Sequence, residues 1–134
     1  GSARERDRAT RILGSYRGRI LDQLPLRMLM AEMRSCAGVV SVDTGLGHLA
    51  PALAVPTIGL FGATSPRLTG IRGPSADVIV SDHLPCIPCR KRDCEYPISG
   101  DSSSIYPPCF DRTTAETVWQ ALQQQIGSRV TRHD

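Results

Sequence analysis

The feature that most constrains this chain is residues 38–62, GVVSVDTGLGHLAPALAVPTIGLFG. Two short apolar runs, 38–42 (GVVSV) and 57–61 (TIGLF), bracket a small-residue segment at 46–54. Continuous apolar runs of this length are expected of strands covered on both faces. The segment between them reads as a helix, which makes the whole a βαβ unit with parallel strands. A third strand is expected at 77–80 (DVIV). The fold class that follows is α/β, a parallel sheet flanked by helices.

The rest of the chain is mostly helical in period. Residues 4–15 (RERDRATRILGS) carry Ala9, Ile12 and Leu13 on one face, open on a Ser2–Glu5 capping box and stop at Gly14. A short strand is expected at 19–21. Residues 26–36 (LRMLMAEMRSC) place Leu26, Leu29, Met30 and Met33 at helical spacing, the methionines as core filler. Cys36, with no histidine beside it to activate it, reads as a buried core residue. The last helix is 114–126 (TAETVWQALQQQI), opened by a Thr113–Glu116 capping box and buried through Ala115, Val118, Trp119, Leu122 and Ile126. The tail 127–134 is expected to fray.

The 134 residues suffice for one domain with its own core. Apolar residues at 40% and charged residues at 22% exclude a largely disordered chain and a disulfide-dense miniprotein. No apolar run reads as a transmembrane helix. The N-terminal run Arg4, Glu5, Arg6, Asp7 and Arg8 does not read as a signal peptide. The net charge of +3 suits anionic small ligands, a membrane surface or nucleic acid alike, so it selects none of them. A parallel domain normally opens on a strand. Opening on a helix implies that Gly1 and Ser2 were left by cloning, or that the chain is a piece of a longer one.

The loop between the first strand and the helix is where chemistry is expected. In open parallel sheets, ligands bind at the carboxyl ends of strands, against helix N-termini. The first helical turn leaves N–H groups unpaired and carries a partial positive charge, so a pyrophosphate fits there without lysine. Gly45 and Gly47 would let a phosphate approach the backbone. Thr44 can be both N-cap and phosphate donor, and His48 lies one turn on, on the same face. Asp43 at the strand tip can accept from sugar or ribose hydroxyls. The plain alternative is an ordinary strand-to-helix turn with Asp43 as a cap and His48 semi-buried. Arg67 and Arg72 follow the second strand, as phosphate partners or as solvated surface.

Residues 39–66, which include VSVDTGLGHLAPALAVPTIGLFGATSP at 40–66, resemble glycosyltransferase family 9, the ADP-heptose:lipopolysaccharide heptosyltransferases. The shared pattern is a strand, Asp-Thr-Gly, Leu or Pro, any residue, His, a small-residue helix, Pro, and a second strand closing in Gly-x-Thr-x-Pro. Weaker similarity covers residues 1–5, 24–36 and 113–126. The resemblance implies a Rossmann-like sheet, the C-terminal half of a GT-B glycosyltransferase. It implies an ADP-heptose donor, with Asp43 on the heptose hydroxyls and Thr44, Gly45 and His48 on the diphosphate. Glu5 would take the adenosine ribose hydroxyls, and Leu24 would pack near the nucleoside. It also implies a lipopolysaccharide inner-core acceptor, no cofactor for transfer, and a bacterial cytoplasmic location with peripheral contact to the inner membrane. The catalytic base would belong to an N-terminal domain outside this sequence, so no catalytic residue is expected here and the fragment should not turn over alone. Gly47 departs from a common Ser or Met, Ser65 from a common Asp, and Pro51 is expected to kink the helix.

Residues 82–112 form a long excursion, an insert holding Cys86, Cys89, Cys94 and Cys109. The Cys-x2-Cys half is a metal knuckle, and four thiolates favour structural zinc or iron. Free thiols and disulfides remain the other readings. Arg90, Lys91 and Arg92 make this loop basic, suiting an anionic acceptor or membrane headgroups unless they are simply solvated. The competing function is a non-catalytic, metal-pinned basic module that binds nucleic acid or a protein partner. Aromatics at 4% offer few stacking platforms, which argues against nucleic acid.

Overall fold

A computed structural model describes residues 3–97 and 107–130. Three parallel strands, β1 (Val39–Val42), β2 (Thr57–Phe61) and β3 (Ala76–Val80), form one sheet in the order β1-β2-β3. Val39 lies opposite Thr57, and Thr57 opposite Ala76, so the strands start level. β2, between two neighbours, is the buried strand: Ile58 and Phe61 are fully enclosed, as expected of a parallel strand covered on both faces.

Among the described residues there are five α-helices, α1 (Ala3–Leu13), α2 (Leu26–Ser35), α3 (Gly45–Ala52), the short α4 (Pro66–Thr69) and α5 (Ala115–Val130), of which α3 and α5 pack on the sheet. The period-2 alternation of β1 separates two faces. Val39 points to the α3 side, where it packs on a core of Met33, Ala50 and Val55 together with Leu29, Leu49 and Leu53. Val40 and Val42 point the other way and share a hollow with Val118, Trp119 and Leu122 of α5. The parallel α/β architecture expected from the βαβ pattern is the architecture found. Among the described residues, no helix is long and apolar enough to cross a membrane.

Several local expectations are corrected. Residues 19–21 pair with no strand and stay extended coil. Cys36 is exposed at the end of α2, not core, with Sγ 3.4 Å from the Glu32 carbonyl. Leu26 is also exposed, so the buried face of α2 is narrower than its periodicity suggests. Val40 and Val42 are nearly half exposed, because β1 is an edge strand and α5 crosses it only partly. For the same reason Trp119 and Ala115 lie outside the buried stripe, while Leu122 is inside it.

α5 is capped by Thr114 rather than Thr113: the Thr117 N–H donates to Thr114 Oγ1 over 3.2 Å. Glu116 accepts instead from Gln120, one turn on. α5 also continues through Gly127 to Val130. Gly14, in the left-handed region at φ +47°, ends α1 as expected. The Ser2 cap and the tail beyond 130 lie outside the described residues.

Candidate functional site

The sheet delivers β1 into a tight turn, Asp43-Thr44, and α3 begins at once. Thr44 is extended and caps the helix, its Oγ1 accepting from the Gly47 N–H over 3.3 Å. The Ser41 hydroxyl donates to the Val42 carbonyl at 2.8 Å. That leaves the Thr44 proton to bridge the 3.1 Å to Ser41 Oγ. A closed ring of hydroxyls therefore ties the last strand residues to the first helical turn. It also directs the Thr44 proton inward, so the hydroxyl acts here as a cap, not as a free phosphate donor.

The His48 N–H is taken by the Thr44 carbonyl, which leaves the Gly45 and Leu46 N–H groups as the orphans of the helix end. A Cβ built on Gly45 would meet nothing within 4 Å. Two unpaired, dipole-enhanced donors at a helix end, one of them on a residue without a side chain and with free space at its Cβ position, are what an anion needs. Pro51 does not disturb this end. It sits in the last turn, buried, one residue before α3 stops at Ala52.

Gly47 has a different reason to be glycine. A Cβ there would lie 2.9 Å from Ser41 Oγ and 3.0 Å from the Val42 carbonyl. Gly47 is buried and lets α3 sit close on β1. Its smallness serves packing, not a phosphate, which corrects the sequence expectation.

Asp43 is the most engaged side chain. Oδ2 accepts the Thr69 hydroxyl at 2.6 Å, and Oδ1 faces His48 Nε2 at 3.6 Å, too long for a hydrogen bond. Burial alone would push its pKa up. Hydroxyl bonds from Thr69 and Thr64, with His48 alongside, outweigh that and hold the carboxyl below its ordinary value. Asp43 is thus a fixed carboxylate at neutral pH, its side chain 17% exposed, while His48 remains 43% exposed and able to reach a ligand.

Asp43, Thr44, Gly45 and His48 are gathered at one point. Glu5 lines a separate hollow with Arg6, Ala9, Ile20 and Leu21, and Leu24 is half-buried in the connector before α2. Arg67 and Arg72 are exposed. Thr69, 26 residues from Asp43, was not legible as a partner, because nothing local marks it. Thr64 had a signal in the x-Thr-x-Pro turn that follows β2.

The described parts of the 82–112 excursion dock on the sheet end. The Arg90 N–H donates to the Ala63 carbonyl at 2.8 Å, and a Cβ on Gly62 would strike Cys109 Sγ at 2.8 Å. Residues 98–106 of the excursion lie outside the described residues. The four cysteines line one cavity of about 170 Å3, and all are free thiols. Burial raises the Cys109 thiol pKa. Among the described residues, no three Cys, His, Asp or Glu side chains are gathered closely enough to hold an ion. The residues as placed do not fit the expected zinc or iron site.

With this geometry in place, the chain can be compared with known proteins. A family model described as glycosyltransferase family 9 (heptosyltransferase) matches residues 1–98. Lipopolysaccharide heptosyltransferase 1 of Pseudomonas aeruginosa is 38% identical over 133 residues, covering 94% of this chain and 37% of that protein. The proteins of the same name from Salmonella typhimurium and Escherichia coli K12 are 44% and 41% identical over 73 residues, covering 52% of this chain and 22% of each. The chain therefore spans well under half the length of these relatives. No solved structure matches it.

Proposed function

The chain belongs to glycosyltransferase family 9, and from that premise we propose that it is the donor-binding part of a heptosyltransferase. It holds ADP-heptose while the heptose passes to a lipopolysaccharide inner-core acceptor. The observation that carries this reading is the α3 end: two unpaired N–H groups, with free space at the Gly45 Cβ position, beside a fixed carboxylate.

The chemistry follows from charge. An acceptor hydroxyl attacks the anomeric carbon, the sugar–oxygen bond breaks, and negative charge collects on the departing diphosphate. Donors fixed in advance at a helix N-terminus stabilise that charge more in the transition state than in the ground state. The Gly45 and Leu46 N–H groups fill that role, joined by the exposed His48 ring. Asp43 accepts from sugar hydroxyls and fixes the orientation of the anomeric carbon. No cofactor is needed for such a transfer.

Glu5 and Leu24 are proposed for the ribose and nucleoside ends of the donor. The hollow that Glu5 lines with Arg6, Ala9, Ile20 and Leu21 sets a carboxylate beside apolar side chains, a mixed lining that suits a ribose next to a base. The base that takes the acceptor proton is assigned to an N-terminal domain beyond this sequence. The setting is the cytoplasmic face of the inner membrane, where the acceptor is assembled. The single-domain reading of residues 1–134, with 82–112 as an insert, belongs to this proposal.

Thermal melting with ADP and ADP-heptose tests it. A ligand at a hundred times its Kd stabilises by about 2.7 kcal/mol, so the transition should rise by several degrees. Asp43→Ala should abolish the extra gain from the sugar, and His48→Ala most of the gain from ADP. No shift with either nucleotide would remove the reading. Nothing in the structure favours the nucleic-acid alternative. DNA or RNA binding with a steep salt dependence would be needed to revive it.

A further inference from the structure

Beside the Asp43 cluster lies a second hollow, of about 360 Å3. Thr64, Ser65 and Thr69 form one wall, and Arg90, Lys91 and Arg92 the other, with no carboxylate in the lining. Lys91 is paired with Glu95. Neither the Arg90 nor the Arg92 guanidinium has an ion-pair partner among the described residues. Arg90 is also held at φ +55°, a backbone region that favours glycine. Two exposed guanidinium groups without ion-pair partners, set beside hydroxyls in one hollow, are suited to receive an oxyanion.

We propose that this groove binds an oxyanion of the acceptor, a phosphate or carboxylate carried by the sugar that receives the heptose. The acceptor part of this inference rests on the function proposed above. Guanidinium groups match oxyanions through paired N–H donors, and the Ser65 hydroxyl in the same lining adds a further contact. Thr64 and Thr69 also hold Asp43. An anion in the groove therefore sits one side chain from the carboxylate that orients the donor sugar. The diphosphate is already provided for at the α3 end, so the groove serves a second charge. Its effect is to bring a neighbouring acceptor hydroxyl up to the anomeric carbon.

The test follows backbone amide and arginine Nε–H signals of the 134-residue chain by NMR. Inorganic phosphate is added first alone, then with saturating ADP, to the native chain and to Arg90→Gln/Arg92→Gln. Both arginines are exposed, so the variant should melt with the native chain. Phosphate is expected to move signals of 64–69 and 90–92 with or without ADP, and to bind the double variant at least tenfold more weakly. No movement in the groove, or full-strength movement in the variant, overturns the proposal. Displacement of groove phosphate by ADP overturns the assignment to the acceptor and gives the groove to the donor. ADP-induced shifts at 43–48 report on the donor reading separately. Their absence, with groove binding intact, sinks that reading and leaves the oxyanion site standing.

Discussion

The two glycines of the first α3 turn should respond to the same substitution in opposite ways. In Gly47→Ala the new methyl would meet Ser41 Oγ at 2.9 Å and the Val42 carbonyl at 3.0 Å. Ser41 cannot turn away freely, because it bonds Val42 O and Thr44 Oγ1 in the ring that also caps α3. Overpacking of this kind costs roughly 1–3 kcal/mol. The helix propensity gained on replacing glycine returns at most about 1 kcal/mol. From the middle of that cost, about 2 kcal/mol, a net loss of about 1 kcal/mol follows, a fall in Tm of roughly 3–5 °C for a chain of this size. In Gly45→Ala the methyl meets no protein atom. Stability should hold or rise by up to about 0.5 kcal/mol. The methyl then occupies the space over the orphan N–H groups, so the Kd for ADP should rise roughly tenfold, about 1.4 kcal/mol. Thermal melts and ADP titrations of both variants decide the matter. A Gly47→Ala chain that melts like the native one refutes the packing argument. A Gly45→Ala chain that binds ADP like the native one refutes the anion site.

Further outcomes follow from the same contacts. Asp43 has a folded pKa below its ordinary value of 3.8. Its contribution to stability is therefore fully present above about pH 4 and lost as pH falls through the folded value. The stability gap between the native chain and Asp43→Asn should close over that acidic range in urea melts, and a gap that persists below it would contradict the assignment. Thr69→Val removes the 2.6 Å hydroxyl bond, so the Asp43 carboxyl should titrate at higher pH by NMR, with little change in Tm. Thr44→Ala removes the helix cap and should cost about 1 kcal/mol, read in the same melts. Cys109 is buried with a raised thiol pKa, whereas Cys86 is exposed. Iodoacetamide at pH 8 should label Cys86 at least tenfold faster, and equal rates would show that the cavity opens readily.

What the residues disclosed, and what they hid, divides by the range of the interaction. The βαβ unit was legible because burial on both faces writes itself into consecutive residues, as in 57–61. The Thr44 cap was legible because a cap is a contact across three residues. Val40 and Val42 misled, since an apolar run looks alike in a central strand and in an edge strand whose outer face is only partly covered. The same holds for Trp119, which lies on the apolar stripe of α5 yet is 52% exposed beside the β1 edge. Gly47 shows the limit most sharply. Its type was noted, but whether glycine makes room for a ligand or for a neighbouring strand depends on where the Cβ would point. The Asp43–Thr69 bond joins residues brought together by the fold alone, and no spacing rule predicts it. The cysteines illustrate the converse. Their spacing promised a ligand shell, and the chain brings all four to one cavity without closing one.

The state of Asp43 narrows its part in the proposed transfer. A general base works best with a pKa near the operating pH, which for a carboxyl means a value raised well above the ordinary. Asp43 is moved the other way by Thr69, Thr64 and His48. A carboxylate so stabilised is a poor proton acceptor and a good hydrogen-bond acceptor. Its oxygens offer about four lone-pair directions between them, and the two threonine hydroxyls leave room for ligand hydroxyls. Asp43 can therefore hold a sugar without taking its proton. In the proposed transfer the acceptor proton would then leave through a different group, one whose surroundings raise its basicity instead of lowering it. Among groups close to Asp43, His48 is already turned toward the carboxylate and the helix end that the diphosphate would occupy. Its ring lies beside a carboxylate and one turn into α3, so it suits contact with the leaving group rather than activation of the nucleophile.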